Sequence, residues 1–218
     1  MTGGECEMTF RITRRAFAAG AVAGLAGAGT LSAQRASEAA ARATPYQTLG
    51  PFYPNQRPFE DDADLTWLDG HDQRAAGQVI EVGGRVLDIH GNPVSNARLE
   101  IWQANAAGRY AHANDVGNSG PLDPNFQGFA DIRTGRDGTW RITTIKPGAY
   151  GSRTQHIHFD VTGRHQRLIT QMYFPDEEEN NQRDGPLRYA GDRANLLMSH
   201  KTGEASYHWD IVLMDGVD

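Results

Sequence analysis

Strand-forming runs separated by turn residues organise the chain from about residue 78 onward. Residues 78–88 read as a strand stopped by His90-Gly91-Asn92-Pro93, and 97–103 as the next, so the two are expected to form a hairpin or a sheet corner. Further strands are expected at 129–134, 139–145, 156–162, 167–174 and 207–214, with Asp137-Gly138 as a tight turn between two of them. A short helix is expected within 192–199. Many short strands at this spacing predict an all-β fold, a β-sandwich of mixed or antiparallel strands. Ahead of them, Pro51, Pro54 and Pro58 are too dense for a central strand, which predicts an irregular N-terminal arm lying on the domain surface.

Composition narrows this picture. A chain of 218 residues has room for one well-buried domain, and its 25 Gly and 10 Pro suit a turn-rich β fold. The net charge of -6, with no Lys/Arg run, leaves no basic footprint for nucleic acid or anionic lipid, so nucleic acid is excluded as a partner class.

The first 33 residues have a different character. Arg14-Arg15 precede an Ala/Gly-rich apolar stretch over 18–31, and Leu31-Ser32-Ala33 supplies small residues for cleavage. This resembles a twin-arginine export signal; the apolar run is too short and too interrupted to span a bilayer. The expected organisation is a signal at 1–33, a linker at 34–44 and a catalytic domain at 45–218, with the mature protein periplasmic or secreted and free of the membrane. Met8 is an alternative start and Ala43 an alternative processing point. Cys6, the one cysteine, falls in the segment to be removed, so the mature chain would rely on packing and metal rather than a disulfide.

Candidate chemistry begins at His156-Ile157-His158. Residues two apart on a strand share a face, so both imidazoles can reach one metal without backbone distortion. An isolated His-x-His pair is also common on solvated strands, so the neighbourhood decides. Tyr110, after Gly108-Arg109, and Tyr150, after Lys146-Pro147-Gly148-Ala149, each follow a predicted strand. Either alone is more often a packed aromatic with a satisfied hydroxyl. Phenolates and imidazoles together suit Fe(III) better than zinc, and two phenolates plus a hydroxide would balance three positive charges.

With these residues in place, a family resemblance emerges. Val82-Gly83-Gly84-Arg85-Val86, Gly91, Val94, Leu99-Glu100-Ile101 and Gly108-Arg109-Tyr110 resemble, at matching spacing, the signature of the intradiol ring-cleaving dioxygenases. Trp102-Gln103-Ala104-Asn105, Leu122-Asp123-Pro124-Asn125-Phe126, Thr144-Ile145-Lys146-Pro147-Gly148, His156-Ile157-His158-Phe159 and residues 168–174 extend it, most closely toward the iron-bearing β chain of the protocatechuate 3,4-dioxygenase group. The resemblance implies one Fe(III) per chain, with Tyr110 and His156 as equatorial ligands, Tyr150 and His158 as axial ones, and a hydroxide. It further implies that Tyr150 leaves on substrate binding and acts as a base, that Arg153 stabilises charge on the substrate, and that Gln171 shapes the oxygen-reactive environment. The implied reaction cleaves a catechol-type ring with O2 to a cis,cis-muconate, a protocatechuate-like substrate leading and catechol or hydroxyquinol standing as alternatives. Homo-oligomerisation or pairing with a related chain is implied as well.

One departure bears on substrate. Only Gly151-Ser152 separates Tyr150 from Arg153, where the protocatechuate enzymes carry a longer loop with a Trp, so the aromatic wall must come from elsewhere; Pro51, Phe52 and Tyr53 are candidates. Two other classes compete: a non-catalytic exported β-sandwich binding module, which predicts no iron, and a zinc hydrolase built on the same histidines, which needs a third carboxylate, Cys or His ligand.

Overall fold

The computed structural model describes Met1, residues 41–118 and residues 120–215. The proposed signal and most of the linker fall outside the described residues. Nine strands are present among them: β1 Val79–Leu87, β2 Arg98–Trp102, β3 Phe129–Arg133, β4 Thr139–Ile145, β5 His156–Thr162, β6 Arg167–Tyr173, β7 His200–Gly203, β8 Ser206–His208 and β9 Ile211–Val212. Two short helices, α1 Glu178–Asn181 and α2 Gly185–Tyr189, and a 3-10 helix, Gly191–Leu197, link β6 to β7. No helix among the described residues is long and apolar enough to cross a membrane.

The strands form two sheets. The first runs β4-β1-β8-β7 with β9 also on β1, and is mixed: β1 is antiparallel to β4 but parallel to β8 and β9. The second, β3-β2-β5-β6, is antiparallel throughout. Alternation decides which side chains enter the core. Ile80, Val82 and Val86 of β1 and Ile142 of β4 meet Leu99 and Ile101 of β2, Ile157, Phe159 and Val161 of β5 and Met172 of β6 in one buried cluster. Each such side chain contributes about 1.5–3 kcal/mol through removal from water, which gives the all-β sandwich its single main core.

Of the two forms expected for 78–88 and 97–103, a hairpin or a sheet corner, the structure has the corner: β1 and β2 belong to different sheets, and the turn between them is where the chain crosses the sandwich. Two other expectations are corrected. Expected strand 207–214 is two strands, because Trp209-Asp210 breaks the ladder, with Trp209 N–H donating to the Gly83 carbonyl and the Asp210 carboxylate accepting from Arg85 N–H. The helix expected within 192–199 is a 3-10 helix starting one residue earlier.

The opposite face of the second sheet carries the chemistry. In register across it stand Phe129 (β3), Trp102 (β2), His158 (β5) and Gln171 (β6), followed by the pair His156 and Tyr173. The next row inward toward the other strand ends is Asp131, Glu100 and Asp160, three carboxylates abreast. Arg57, Arg98 and Arg167 neutralise them. The arm covers this face: Leu49, Phe52 and Tyr53 pack with Trp102, Tyr110 and Phe129 in a second apolar cluster. Its backbone is pinned at Gln47 N–H to the Ile169 carbonyl and at Thr44 N–H to the Val212 carbonyl. Ala43 and Thr44 are buried, so packing reaches two residues into the segment that the sequence assigns to the linker.

Candidate metal centre

His156 and His158 project from β5 onto the arm-covered face and are buried. His156 Nδ1 lies 2.6 Å from the Thr154 carbonyl oxygen, which can only accept, so Nδ1 holds the proton and Nε2 presents its lone pair. That Nε2 stands 3.2 Å from His158 Nε2. Burial, then the Arg153 charge, pushes His156 down to about 3, and burial with the His156 and Arg153 charges pushes His158 well down too, so both rings are neutral nitrogen donors. The His158 ring lies flat on Trp102, centroids 4.8 Å apart and planes 10° apart.

Two tyrosines complete the cluster because two loops are fastened together. Asn105 carbonyl accepts from both Gly108 N–H and Gly148 N–H at 2.9 Å, joining the loop before Tyr110 to the loop before Tyr150. Gly108 has φ +75°, and a Cβ there would lie 2.3 Å from the Ala149 carbonyl oxygen, so only glycine allows the approach. Tyr150 and Arg153 then exchange backbone hydrogen bonds across Gly151-Ser152, a two-residue turn that sets Arg153 opposite Tyr150. Tyr150 Oη is 3.4 Å from His156 Nε2. Tyr110 Oη is buried with no hydrogen-bond partner among the described residues. Burial first, and then the neighbouring Tyr150 phenol, pushes Tyr110 well up; burial also raises Tyr150.

The donor set fits a hard trivalent cation. Two bare imidazole nitrogens facing each other at 3.2 Å, with one phenol beside them and another left unsatisfied in the dry interior, carry a cost that a shared cation removes. Among the described residues no group of three or more His, Cys, Asp or Glu side chains could hold a metal, so the ligand set of a zinc hydrolase is not assembled.

Arg153 and Gln171 meet beside the cluster. Arg153 Nη2 donates to Gln171 Oε1 at 2.5 Å and to Tyr173 Oη at 3.2 Å, and Tyr173 Oη donates to the same Gln171 oxygen at 2.9 Å. Gln171 Nε2 donates to the Thr48 carbonyl of the arm at 2.8 Å, which fixes the orientation of its amide. Sequence reasoning missed Asp184, which is buried and takes Arg153 Nε at 2.8 Å and Thr154 N–H at 3.0 Å on Oδ2, and Leu187 N–H at 2.9 Å on Oδ1. Its one legible signal was Asp184-Gly185-Pro186, a helix cap with Pro at the second helical position. Of the arm residues named as candidate walls, Phe52 stacks on Tyr110 (4.6 Å) and Tyr53 sets its edge against Trp102 (5.1 Å), while Pro51 is exposed.

Comparison with known proteins identifies the family to which this β-sandwich, with two histidines on one strand and two loop tyrosines beside them, belongs. A family model described as Dioxygenase matches residues 49–215. The protocatechuate 3,4-dioxygenase beta chain of Burkholderia cepacia is 47% identical over 125 residues, covering 53% of this chain and 53% of that one. The alpha chain from the same organism is 32% identical over 191 residues, covering 80% and 93%. Among solved structures, the dioxygenase domain of a carbohydrate-binding fusion from Streptomyces sp. SirexAA-E superposes with a TM-score of 0.61 at 26% identity, over 78% of this chain and 97% of that one. The chain belongs to the intradiol ring-cleavage dioxygenases, a family of oxidoreductases. Its match spans about half the length of the beta chain.

Proposed function

We propose that this chain is a non-haem Fe(III) intradiol dioxygenase that opens a catechol-type ring, protocatechuate-like, with O2 to give a cis,cis-muconate. The observation that carries this reading is the convergence of Tyr150 Oη and the His156 and His158 Nε2 atoms, with the Tyr110 ring edge-on to Tyr150 at 5.4 Å and the Arg153–Gln171 pair bordering the cluster. Tyr110, Tyr150, His156 and His158 would hold one iron, whose Lewis acidity would draw electron density from the bound ring diol. Around it the protein's own groups have distinct tasks. Tyr150 sits on a two-residue turn and is the ligand best able to swing away, its Oη taking a proton from a substrate hydroxyl. Arg153 presents a fixed positive charge to the carbanionic carbon of the ring, an effect worth several kcal/mol in enzymes when the donor is preorganised. Gln171, held by Thr48, keeps Arg153 in place and adds an amide dipole. Phe52 and Trp102 keep water from the buried donors.

Relatives named catechol 1,2-dioxygenase, such as the Acinetobacter baylyi protein at 30% identity, support a second reading in which the ring carries no carboxylate. The test is oxygen uptake across protocatechuate, catechol and hydroxyquinol, together with metal analysis and the visible spectrum. A burgundy protein with about one iron per chain and a muconate product is expected; a colourless protein with stoichiometric zinc would sink the proposal. Similarity to both alpha and beta chains supports association with a second copy or a related chain, which sedimentation resolves. Residues 1–33 are proposed as an export signal, and the mass of the exported protein should place the mature start near Gln34 or Thr44.

A further inference from the structure

The two histidine rings of the cluster are oriented by different means. His156 is fixed through its edge, Nδ1–H donating to the Thr154 carbonyl at 2.6 Å. His158 Nδ1 is buried, has no hydrogen-bond partner among the described residues and is too enclosed for a water molecule to reach. Its cross-strand neighbour on β6, Gln171, has no capacity left for it: the amide oxygen accepts from Arg153 and from Tyr173, and Nε2 donates to the Thr48 carbonyl. A metal-bound imidazole ordinarily gives its second N–H to an acceptor, which sets the orientation of the ring. His158 needs another constraint.

Trp102 supplies it. Register places Trp102 directly opposite His158 across the β2–β5 pair, on the same face of the sheet. The two rings lie nearly parallel, planes 10° apart and centroids 4.8 Å apart, an offset stack of the kind aromatic rings favour. The indole is itself immobilised: it is 1% exposed, faces Phe129 across β3 and meets the Tyr53 ring edge-on at 5.1 Å, while Tyr53 Oη donates to Glu100 Oε1 at 3.0 Å. Its Nε1 is buried without a hydrogen-bond partner among the described residues. A buried indole usually satisfies that N–H, so what this side chain contributes is its plane rather than its donor. The arm meets the same imidazole at its edge, since a Cβ on Gly50 would lie 3.2 Å from His158 Cε1 and 3.7 Å from Nε2.

We infer that Trp102 is the positioning residue of His158: its indole face holds the imidazole with Nε2 toward His156 Nε2, the task that the Thr154 carbonyl performs for His156. This rests on the reading of Tyr110, Tyr150, His156 and His158 as a ferric site, and it concerns the hold on iron rather than the ring that is cleaved. The test compares the parent with Trp102→Phe and Trp102→Leu, each stripped of metal and titrated with ferric iron against the chelator nitrilotriacetate, with thermal melts on the same samples. Trp102→Phe keeps a flat ring opposite His158 and should bind iron within about threefold of the parent. Trp102→Leu removes the plane and should weaken iron binding about tenfold, the low end of the loss that follows when an outer partner of a metal ligand is removed. The electron paramagnetic resonance signal of the ferric centre should match the parent in Trp102→Phe and change shape in Trp102→Leu, because a ring free to tilt alters the ligand field. A role in filling the core alone would lower the melting temperature of both variants and leave affinity and signal unchanged. If Trp102→Leu does not fold, Trp102→Met, which adapts to irregular space, takes its place. Parent-like affinity and signal in the folded non-aromatic variant overturn the inference, as does an equal loss in Trp102→Phe. Should the parent take up iron and show this contrast but open no catechol, the ring-cleavage reading falls and the role of Trp102 stands; a parent that takes up no iron overturns both.

Discussion

Arg153 and Asp184, 31 residues apart, form a partly buried ion pair with Nε 2.8 Å from Oδ2, and the buried Asp184 is itself fastened by two backbone N–H donors. The guanidinium is thereby oriented before any substrate arrives. The burial that would lower Arg153 is outweighed by Tyr173, Asp184 and Tyr150, and its pKa stays raised, so its charge is permanent. In the proposed mechanism Asp184 would be a positioning residue, acting on the reaction through Arg153.

Asp184→Asn keeps the shape but removes the counter-charge, and its single amide oxygen can accept on one side only, so either Leu187 N–H or the Thr154 N–H and Arg153 Nε pair loses its acceptor. It should lower kcat about 10–100-fold, the range seen when an outer-shell partner of a site is lost, with iron content and the visible spectrum retained. Asp184→Ala leaves the partly buried Arg153 without its counter-charge and two backbone N–H groups without an acceptor, and should cost about 1–3 kcal/mol of stability. Steady-state oxygen uptake, metal analysis and thermal melts separate the two outcomes; loss of iron in Asp184→Asn would show a structural role instead.

Tyr110→Phe should weaken the visible band, because it removes one phenol oxygen from a pocket where nothing else satisfies it. His158→Ala should lose iron. Absorption spectra and metal content measured on the same samples check both, and full iron and activity in His158→Ala would exclude that residue as a ligand.

Gly108→Ala places a methyl 2.3 Å from the Ala149 carbonyl oxygen at φ +75°. Strain of about 1–3 kcal/mol is the minimum expected, and the loop carrying Tyr110 must move away from the loop carrying Tyr150. A lowered Tm together with reduced iron occupancy is the expected result, whereas Gly91→Ala, with nothing within 4 Å of its Cβ, should lower Tm alone.

Acid stability should depend on Asp131. Hydrogen bonds from Arg98, and then Arg57, hold its carboxyl down to about 2 against 3.8 in the unfolded chain. A depressed carboxylate stabilises the fold fully above the unfolded value and loses that contribution as pH falls through the folded one, so the window is about pH 4 down to 2. Asp131→Asn should therefore unfold more readily than the parent at pH 7, by at most ~2 kcal/mol, and the difference should vanish toward pH 2. Denaturant midpoints across that range would show it.

Strands whose side chains alternate between core and covered face were legible from residue pattern alone: 139–145 and 156–162 coincide with β4 and β5. β7 was missed because all four of its residues are exposed, which erases any alternation. The break in 207–214 follows from a backbone crossing, since a Cβ on Gly84 would fall 1.9 Å from the Trp209 carbonyl oxygen, and no local pattern announces such a meeting. The His156 and His158 pair was readable from strand geometry, whereas Tyr110 and Tyr150 needed charge balance and family resemblance. Asp184 was legible only as a helix cap, because its pairing with Arg153 is created by folding.

The arm's hydrogen bonds carry a consequence for the order of assembly. Thr44, near the start of the described segment, bonds Val212, 168 residues later, and the Pro45 carbonyl accepts from Thr170, 125 residues later. In a chain made from its amino end, the earliest segment of the domain must wait for the latest strands before it can dock. The sheet bearing His156 and His158 is therefore complete before its cover is fastened, leaving an interval in synthesis when the imidazoles are still within reach of the solvent.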